Sequence, residues 1–178
     1  MDVRTVRPAD AGQLREIRNH YIRHTVVTFD LEPESEGDTR AWIAAHPAES
    51  AHPIVVLEDE GALLGYASAG PLRSKPAYAY AVETSVYTSP ESIGRGLGRA
   101  LYQELFRVLQ GRVHRAYACI ALPHAPSIRL HQDFGFTECG EWNQAGRKFG
   151  RWIDVLWMER ALPGVALPEE GEEPPTLG

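Results

Sequence analysis

The run Ser92-Ile93-Gly94-Arg95-Gly96-Leu97-Gly98-Arg99 follows a strand-like segment and opens directly into a helix of apolar periodicity. Glycines allow a sharp turn and a close approach of backbone to ligand, and the free N–H groups of a helix's first turn carry partial positive charge suited to phosphate. The pattern implies an anion held at this turn. Two familiar cradles fit poorly: the dinucleotide fingerprint needs glycine where Arg99 stands, and the P-loop needs Gly-Lys-Ser/Thr where no lysine lies nearby. A glycine-rich connection with no ligand is the remaining alternative.

Two further residues could carry acid–base chemistry. In the strand expected over Tyr78–Thr88, alternation places Tyr78, Tyr80, Val82, Thr84 and Val86 on one face and Ala79, Ala81, Glu83 and Ser85 on the other. Glu83 is therefore a lone charge on a face of small residues, either open to a ligand or held as a structural ion pair or surface acid. Ser127, His131 and Phe134 lie at i, i+4 and i+7 of a short helix, which gives His131 a defined direction; the bland reading is a half-buried imidazole bonded to backbone. His20 and His24 have the spacing of a shared metal, but Tyr21 stands where a zinc-protease helix has glutamate, and they read as surface residues.

These groups need a scaffold, and its outline is readable. A strand over Val3–Arg7 precedes a helix over about residues 9–23, started by Pro8-Ala9-Asp10 and carrying Leu14, Ile17 and Tyr21 at helical spacing. Ser35 and Asp38 form a capping box for a second helix bearing Trp42. Ile54–Leu57 and Leu63–Ala69 read as a hairpin, and Pro71–Pro76 as a loop holding Arg73 and Lys75. The glycine-opened helix buries Leu97, Leu101, Leu105 and Val108 and stops at Gly111. Arg115–Ala121 is another strand, Pro126 to Gly135 brackets the helix of His131, and Phe136–Asn143 and Arg151–Met158 close the chain as strands around a 146–150 loop.

The 178 residues, 43% of them hydrophobic, suffice for one ordinary core without disulfide or metal. Cys119 and Cys139 lack CxxC or zinc spacing, no signal-like apolar run opens the chain, and no segment is long enough to cross a bilayer; a cytoplasmic setting is expected. Of the formal charge of −6, Glu169, Glu170, Glu172 and Glu173 account for four, so the body carries about −2, which disfavours nucleic-acid binding. The Pro/Glu-rich segment 163–178 reads as a flexible tail after a single domain over 1–162.

The order of elements resembles the GCN5-related N-acetyltransferase superfamily. Asn19-His20-Tyr21-Ile22, Phe29 with Glu32-Pro33, Ala69-Gly70-Pro71, Val82-Glu83, Gly96-Leu97-Gly98, Pro126-Ser127-x-Arg129-Leu130-His131 and Gly150-x-Trp152-x-Asp154-Val155 are similar to the phosphinothricin and methionine sulfoximine acetyltransferases. The resemblance implies an α+β fold, a mixed sheet of about six to seven strands flanked by about four helices. It implies acetyl-CoA as co-substrate, no metal, a small amino-acid-like amine as acceptor, and a homodimer.

Carried onto this sequence, the resemblance assigns Glu83 as base and His131 as acid or substrate-orienting group. Gly94, Arg95, Gly96, Leu97, Gly98 and Arg99 would hold the pyrophosphate, while backbone around Val86, Tyr87 and Thr88 meets the thioester. His124 and Ser127 would flank the pantetheine, and Phe29, Arg73, Lys75 and Thr84 the acceptor. Three departures stand out: Ile93 replaces the usual Arg/Gln, His124 replaces an asparagine, and Arg147 and Phe149 alter a loop that elsewhere supplies aromatic or histidine side chains near the substrate. Competing functions are acetylation of another amine, such as a polyamine, an aminoglycoside or a protein N-terminus, and an acetyl-CoA-binding regulatory module without turnover. The cations Arg73 and Lys75 oppose polycationic acceptors.

Overall fold

The computed structural model describes residues 1–165; residues 166–178, most of the segment expected to be flexible, lie outside it. Among the described residues, seven strands form one sheet in the order β1-β2-β3-β4-β5-β7-β6. The strands are β1 (Asp2–Thr5), β2 (Ile54–Asp59), β3 (Ala62–Pro71), β4 (Ala81–Thr88), β5 (Arg115–Ala121), β6 (Thr137–Lys148) and β7 (Arg151–Ala161). Four helices flank them: α1 (Ala11–His24), α2 (Glu36–Ala44), α3 (Leu97–Leu109) and α4 (Ala125–Asp133).

The helices divide between the two faces according to their apolar stripes. Leu101, Leu105 and Leu109 of α3 pack with Val55, Val82 and Met158 on one face, joined by Leu130 and Phe134 of α4. Leu14 and Ile17 of α1 and Ile43 of α2 pack with Ile54, Val56 and Tyr66 on the other. Truncating a leucine as fully enclosed as Leu101 or Leu105 costs about 2–5 kcal/mol. The capping box of α2 forms in both directions: Asp38 N–H donates to Ser35 Oγ at 3.2 Å, and Ser35 N–H to the Asp38 carboxylate at 2.8 Å. No helix among the described residues is long and apolar enough to cross a membrane.

All neighbouring strands run antiparallel except β4 and β5, which α3 connects in parallel. Their pairing covers Ala81↔Arg115, Val82↔Ala116 and Glu83↔Tyr117, after which they diverge around a cavity. This fork is the feature that makes a site. It lies at the middle of the sheet, with β1–β3 on one side and β7 and β6 on the other.

Two elements differ from expectation. The strand read from Tyr78 begins at Ala81, because Pro76–Tyr78 makes a 3-10 turn whose proline fixes the backbone away from the extended form. The closing strands are longer than their periodicity suggests: β6 runs to Lys148, and the 146–150 loop shrinks to a turn at Phe149 and Gly150. Register shifts at Glu138/Gly140 and Trp142/Gly146 interrupt the alternation that would reveal one continuous strand.

Candidate active site

The fork opens a cavity of about 610 Å³ that passes from the glycine turn and α4 on one face to Tyr21 and Val27 on the other. Its β4 wall offers backbone groups. Ser89 N–H donates to Leu64 C=O at 2.8 Å and Leu72 N–H to Ala81 C=O at 3.4 Å, so the odd-numbered residues of β4 bond β3. Alternation then turns the amides of Val86 and Thr88 toward the gap, while the Thr84 amide is spent on the last β4–β5 pair at Tyr117. The Thr88 carbonyl is taken by the Tyr21 hydroxyl at 2.7 Å; those of Thr84 and Val86 face the cavity beyond the last β4–β5 pair.

The glycine turn sits at one mouth of this gap. Gly94 and Gly96 have φ of +82° and +74°, a left-handed backbone that turns the chain into α3 and presents the first-turn N–H groups to the cavity. Gly98 serves packing instead, since a Cβ there would stand 3.0 Å from Leu130 Cδ2 and 3.8 Å from Val86 Cγ2. It lets α3 approach α4 and β4. The flanking cations are less available than expected. Arg99 lines the cavity but pairs with Asp133 and lies over the Phe134 ring at 5.9 Å; the Arg95 side chain is exposed and reaches back toward Ser92 Oγ at 3.5 Å. Arg129 of α4 supplies a further cation to the wall.

His124 caps α4, its Nδ1 accepting the Ser127 N–H at 3.3 Å, and both residues line the cavity. His131, which the resemblance assigns as acid or substrate-orienting group, lines the cavity with both ring nitrogens engaged. It is 3% exposed, its Nδ1 lies 2.8 Å from the Ser127 carbonyl, and its Nε2 lies 2.8 Å from the Tyr102 hydroxyl. A carbonyl can only accept, so Nδ1 carries the hydrogen and Nε2 accepts from Tyr102. Burial holds the imidazole pKa below its ordinary value, leaving a neutral ring with both nitrogens engaged. Its one N–H is committed to the Ser127 carbonyl, which suits a fixed support better than a proton donor. Tyr102, fully enclosed and with its phenol pushed above the usual range by burial, was missed as its partner.

Thr84, which the resemblance places at the acceptor, lines the cavity at the end of the β4–β5 pairing. Its side chain is buried on the α3 face, and its hydroxyl donates to the Tyr117 carbonyl at 3.2 Å, so it pins the base of the fork. Glu83, one residue earlier, points to the opposite face, as parity predicts, with Ser85 and Tyr87. Burial raises its pKa, and the positive charge of Arg73 opposes that rise. Across the fork, burial and the Glu83 charge push the Cys119 thiol up to about 12. Cys119 pairs across β5–β7 with Trp157, and the Arg73 guanidinium stands 5.8 Å from that indole ring. Glu83, Arg73, Cys119 and Trp157 thus form one cluster at the second mouth of the gap.

Lys75 lies exposed at the start of the 3-10 turn, on the same loop as Arg73. Phe29 sits on the loop after α1 with its ring against Gly146. Trp157 and Lys148 escaped the sequence reading because their contacts come from distant strands. Among the described residues no cluster of His, Cys, Asp and Glu has the makings of a metal site.

Geometry and homology agree on what the gap receives. A narrow slot walled by unpaired strand amides, with a helix N-terminus at one end and a carboxylate at the other, suits a pyrophosphate-bearing thioester laid along β4. The model of the acetyltransferase (GNAT) domain matches residues 3–157. A phosphinothricin N-acetyltransferase of Streptomyces coelicolor is 46% identical over 163 residues, covering 88% of this chain and 95% of that protein. The L-methionine sulfoximine/L-methionine sulfone acetyltransferase of Salmonella typhimurium is 36% identical, covering 95% and 99%. An acetyltransferase structure from Salmonella typhimurium, solved with its cofactor acetyl-CoA, superposes with a TM-score of 0.90 at 36% identity, covering 95% of this chain and 98% of that one. On this agreement of fold, sequence and site, the chain belongs to the acetyltransferase (GNAT) family.

Proposed function

We propose that this acetyl-CoA-dependent enzyme acetylates the primary amine of a small, acidic amino-acid-like acceptor of the phosphinothricin, methionine sulfoximine or methionine sulfone type. The observation that carries this reading is the half-buried Glu83 beside Arg73 at the mouth of the β4–β5 gap. An amine arrives as ammonium at neutral pH and must lose a proton before its nitrogen can attack. Glu83, its pKa raised by burial, takes that proton directly or through one water. Arg73 meets the acceptor's acidic group, which brings the amine to Glu83, and Lys75 on the same loop adds to the attraction.

When bound, acetyl-CoA supplies the activated acyl group. The turn at Gly94–Gly98 holds its pyrophosphate, His124 and Ser127 lie along its path, and the β4 amide of Val86 faces its carbonyl end. His131 and Tyr102 keep α4 seated over this path without exchanging protons with it. The names of the relatives favour the same acceptor class.

The enzyme is further proposed to act in the cytoplasm, in keeping with two free cysteines, and as a homodimer, in keeping with the exposed Trp142, Phe149 and Trp152 on β6 and β7 and the turn between them. A thiol-release screen of acidic and neutral amino acids with acetyl-CoA tests the acceptor class. Turnover confined to polyamines or aminoglycosides would overturn it, and CoA binding without thiol release on any amine would favour the regulatory module. Sedimentation of the purified protein reads the oligomeric state.

A further inference from the structure

Three consecutive residues of the loop after α1 are fastened to the sheet. Val27, which lines the cavity, has its carbonyl 3.4 Å from the Tyr87 hydroxyl of β4. The Thr28 carbonyl accepts a hydrogen bond from Lys148 Nζ at 2.7 Å. Phe29 lies so tightly on β6 that a Cβ at Gly146 would fall 2.2 Å from its ring. Lys148 and Gly146 both belong to the end of β6, some 120 residues away in sequence, so one hairpin end grips two neighbouring residues of the loop.

Lys148 is an unusual choice for that grip. It is 3% exposed, and its ammonium lies 5.4 Å from the Phe149 ring. Burying an ammonium is costly, and a methionine would fill the same space without the penalty. What the amine adds is direction: a charge-assisted bond to one carbonyl, supported by Asp30 on the same loop. The loop in turn reaches the face of β4 that carries Glu83 and Tyr87.

We propose that Lys148 is a positioning residue for the acetyl acceptor, holding the 25–31 loop so that Val27 and Phe29 form one wall of the acceptor's path to Glu83. This rests on the amino-acid acetyltransferase reading above. Its role is exerted through Thr28 and Phe29, not by contact with the reacting atoms. The glycine turn lies at the other end of the cavity, beside α3 and α4.

The test separates acceptor from donor. With acetyl-CoA and the best acceptor from the thiol-release screen, Lys148→Met raises the acceptor KM roughly tenfold or more while the acetyl-CoA KM stays within about twofold. Lys148→Arg, which keeps a charged donor, recovers part of the loss. Phe29→Ala raises the same KM, and adding it to Lys148→Met has less than the additive effect, since both act on one wall. Gly146→Ala displaces Phe29 without touching the ammonium, and gives the same acceptor-specific defect if Lys148→Met does not fold. An unchanged acceptor KM in a folded Lys148→Met or Gly146→Ala enzyme, or equal rises in both KM values, overturns the proposal. Wild-type enzyme inactive on every amino-acid acceptor would instead overturn the reading on which it rests.

Discussion

The Tyr102 hydroxyl donates to Nε2 of His131 at 2.8 Å because the other ring nitrogen already commits its hydrogen to the Ser127 carbonyl. One bond thus ties α3 to α4 across the back of the cavity. His131→Phe should lower Tm, since the enclosed Tyr102 hydroxyl loses its acceptor at a cost of about 1–3 kcal/mol. The pH at which kcat/KM rises should stay where it is if, as proposed, that limb is set by Glu83. A general acid is worth about 10²–10⁴ in rate. A loss of that size in a variant with wild-type Tm would return His131 to the chemistry.

Stability should itself depend on buried imidazoles. His46, His52 and His131 all have folded-state pKa values below the ordinary 6.5, in each case chiefly through burial. Below that pH the unfolded chain therefore binds more protons than the folded one. The stabilisation is complete above about pH 6.5 and is lost as pH falls through the depressed folded values. Thermal melts from about pH 8 to about pH 5 should show Tm falling from about 6.5 downward, and His52→Gln should shallow the slope. A Tm that rises as the pH is lowered across this window would contradict the assignment.

The sequence made local features legible and left long-range ones hidden. Ser35 and Asp38 announced the α2 cap because the whole motif spans four residues. Strand parity separated Glu83 from Val82 and Thr84, as the two faces of β4 bear out. Parity could not show that β4 and β5 part after Glu83, which depends on where α3 delivers the returning strand. The same holds for His131: helix spacing found Ser127, but only packing against α3 brings Tyr102 to its other nitrogen. Lys148 looked like a loop cation, and the bulge between Trp142 and Gly146 hid the strand that buries it.

Glu83 and Arg73 should be separable by pH. Glu83→Gln should abolish most turnover while leaving CoA affinity intact, because the carboxylate lies at the acceptor mouth of the gap. Arg73→Ala should move the acidic limb of kcat/KM upward, since removing the cation leaves the burial that raises the Glu83 pKa unopposed. The same variant should raise KM more for acidic acceptors than for neutral ones. Trp157→Leu should reproduce a smaller limb shift by releasing the guanidinium from its aromatic support. An acidic limb that coincides in wild type, Arg73→Ala and Trp157→Leu would mean that another group titrates.

The two kinds of glycine in the turn predict different defects. Gly96 has open space around an added Cβ but a φ of +74°, so Gly96→Ala strains the backbone by about 1–2 kcal/mol without a clash. The chain relieves that strain by rotating the very amides that face the anion, and Kd for CoA should rise roughly 5- to 30-fold with little change in Tm. Gly98→Val meets Leu130, already 3.0 Å from the first added atom, and must push α4 off α3. Both Tm and CoA affinity should fall, because α4 carries His124, Ser127 and the Tyr102–His131 bond along the same path. Calorimetry with CoA, paired with melts, distinguishes the two patterns. Wild-type affinity in both variants would reduce the glycine run to a connection between β4 and α3 and remove the anion site from the mechanism.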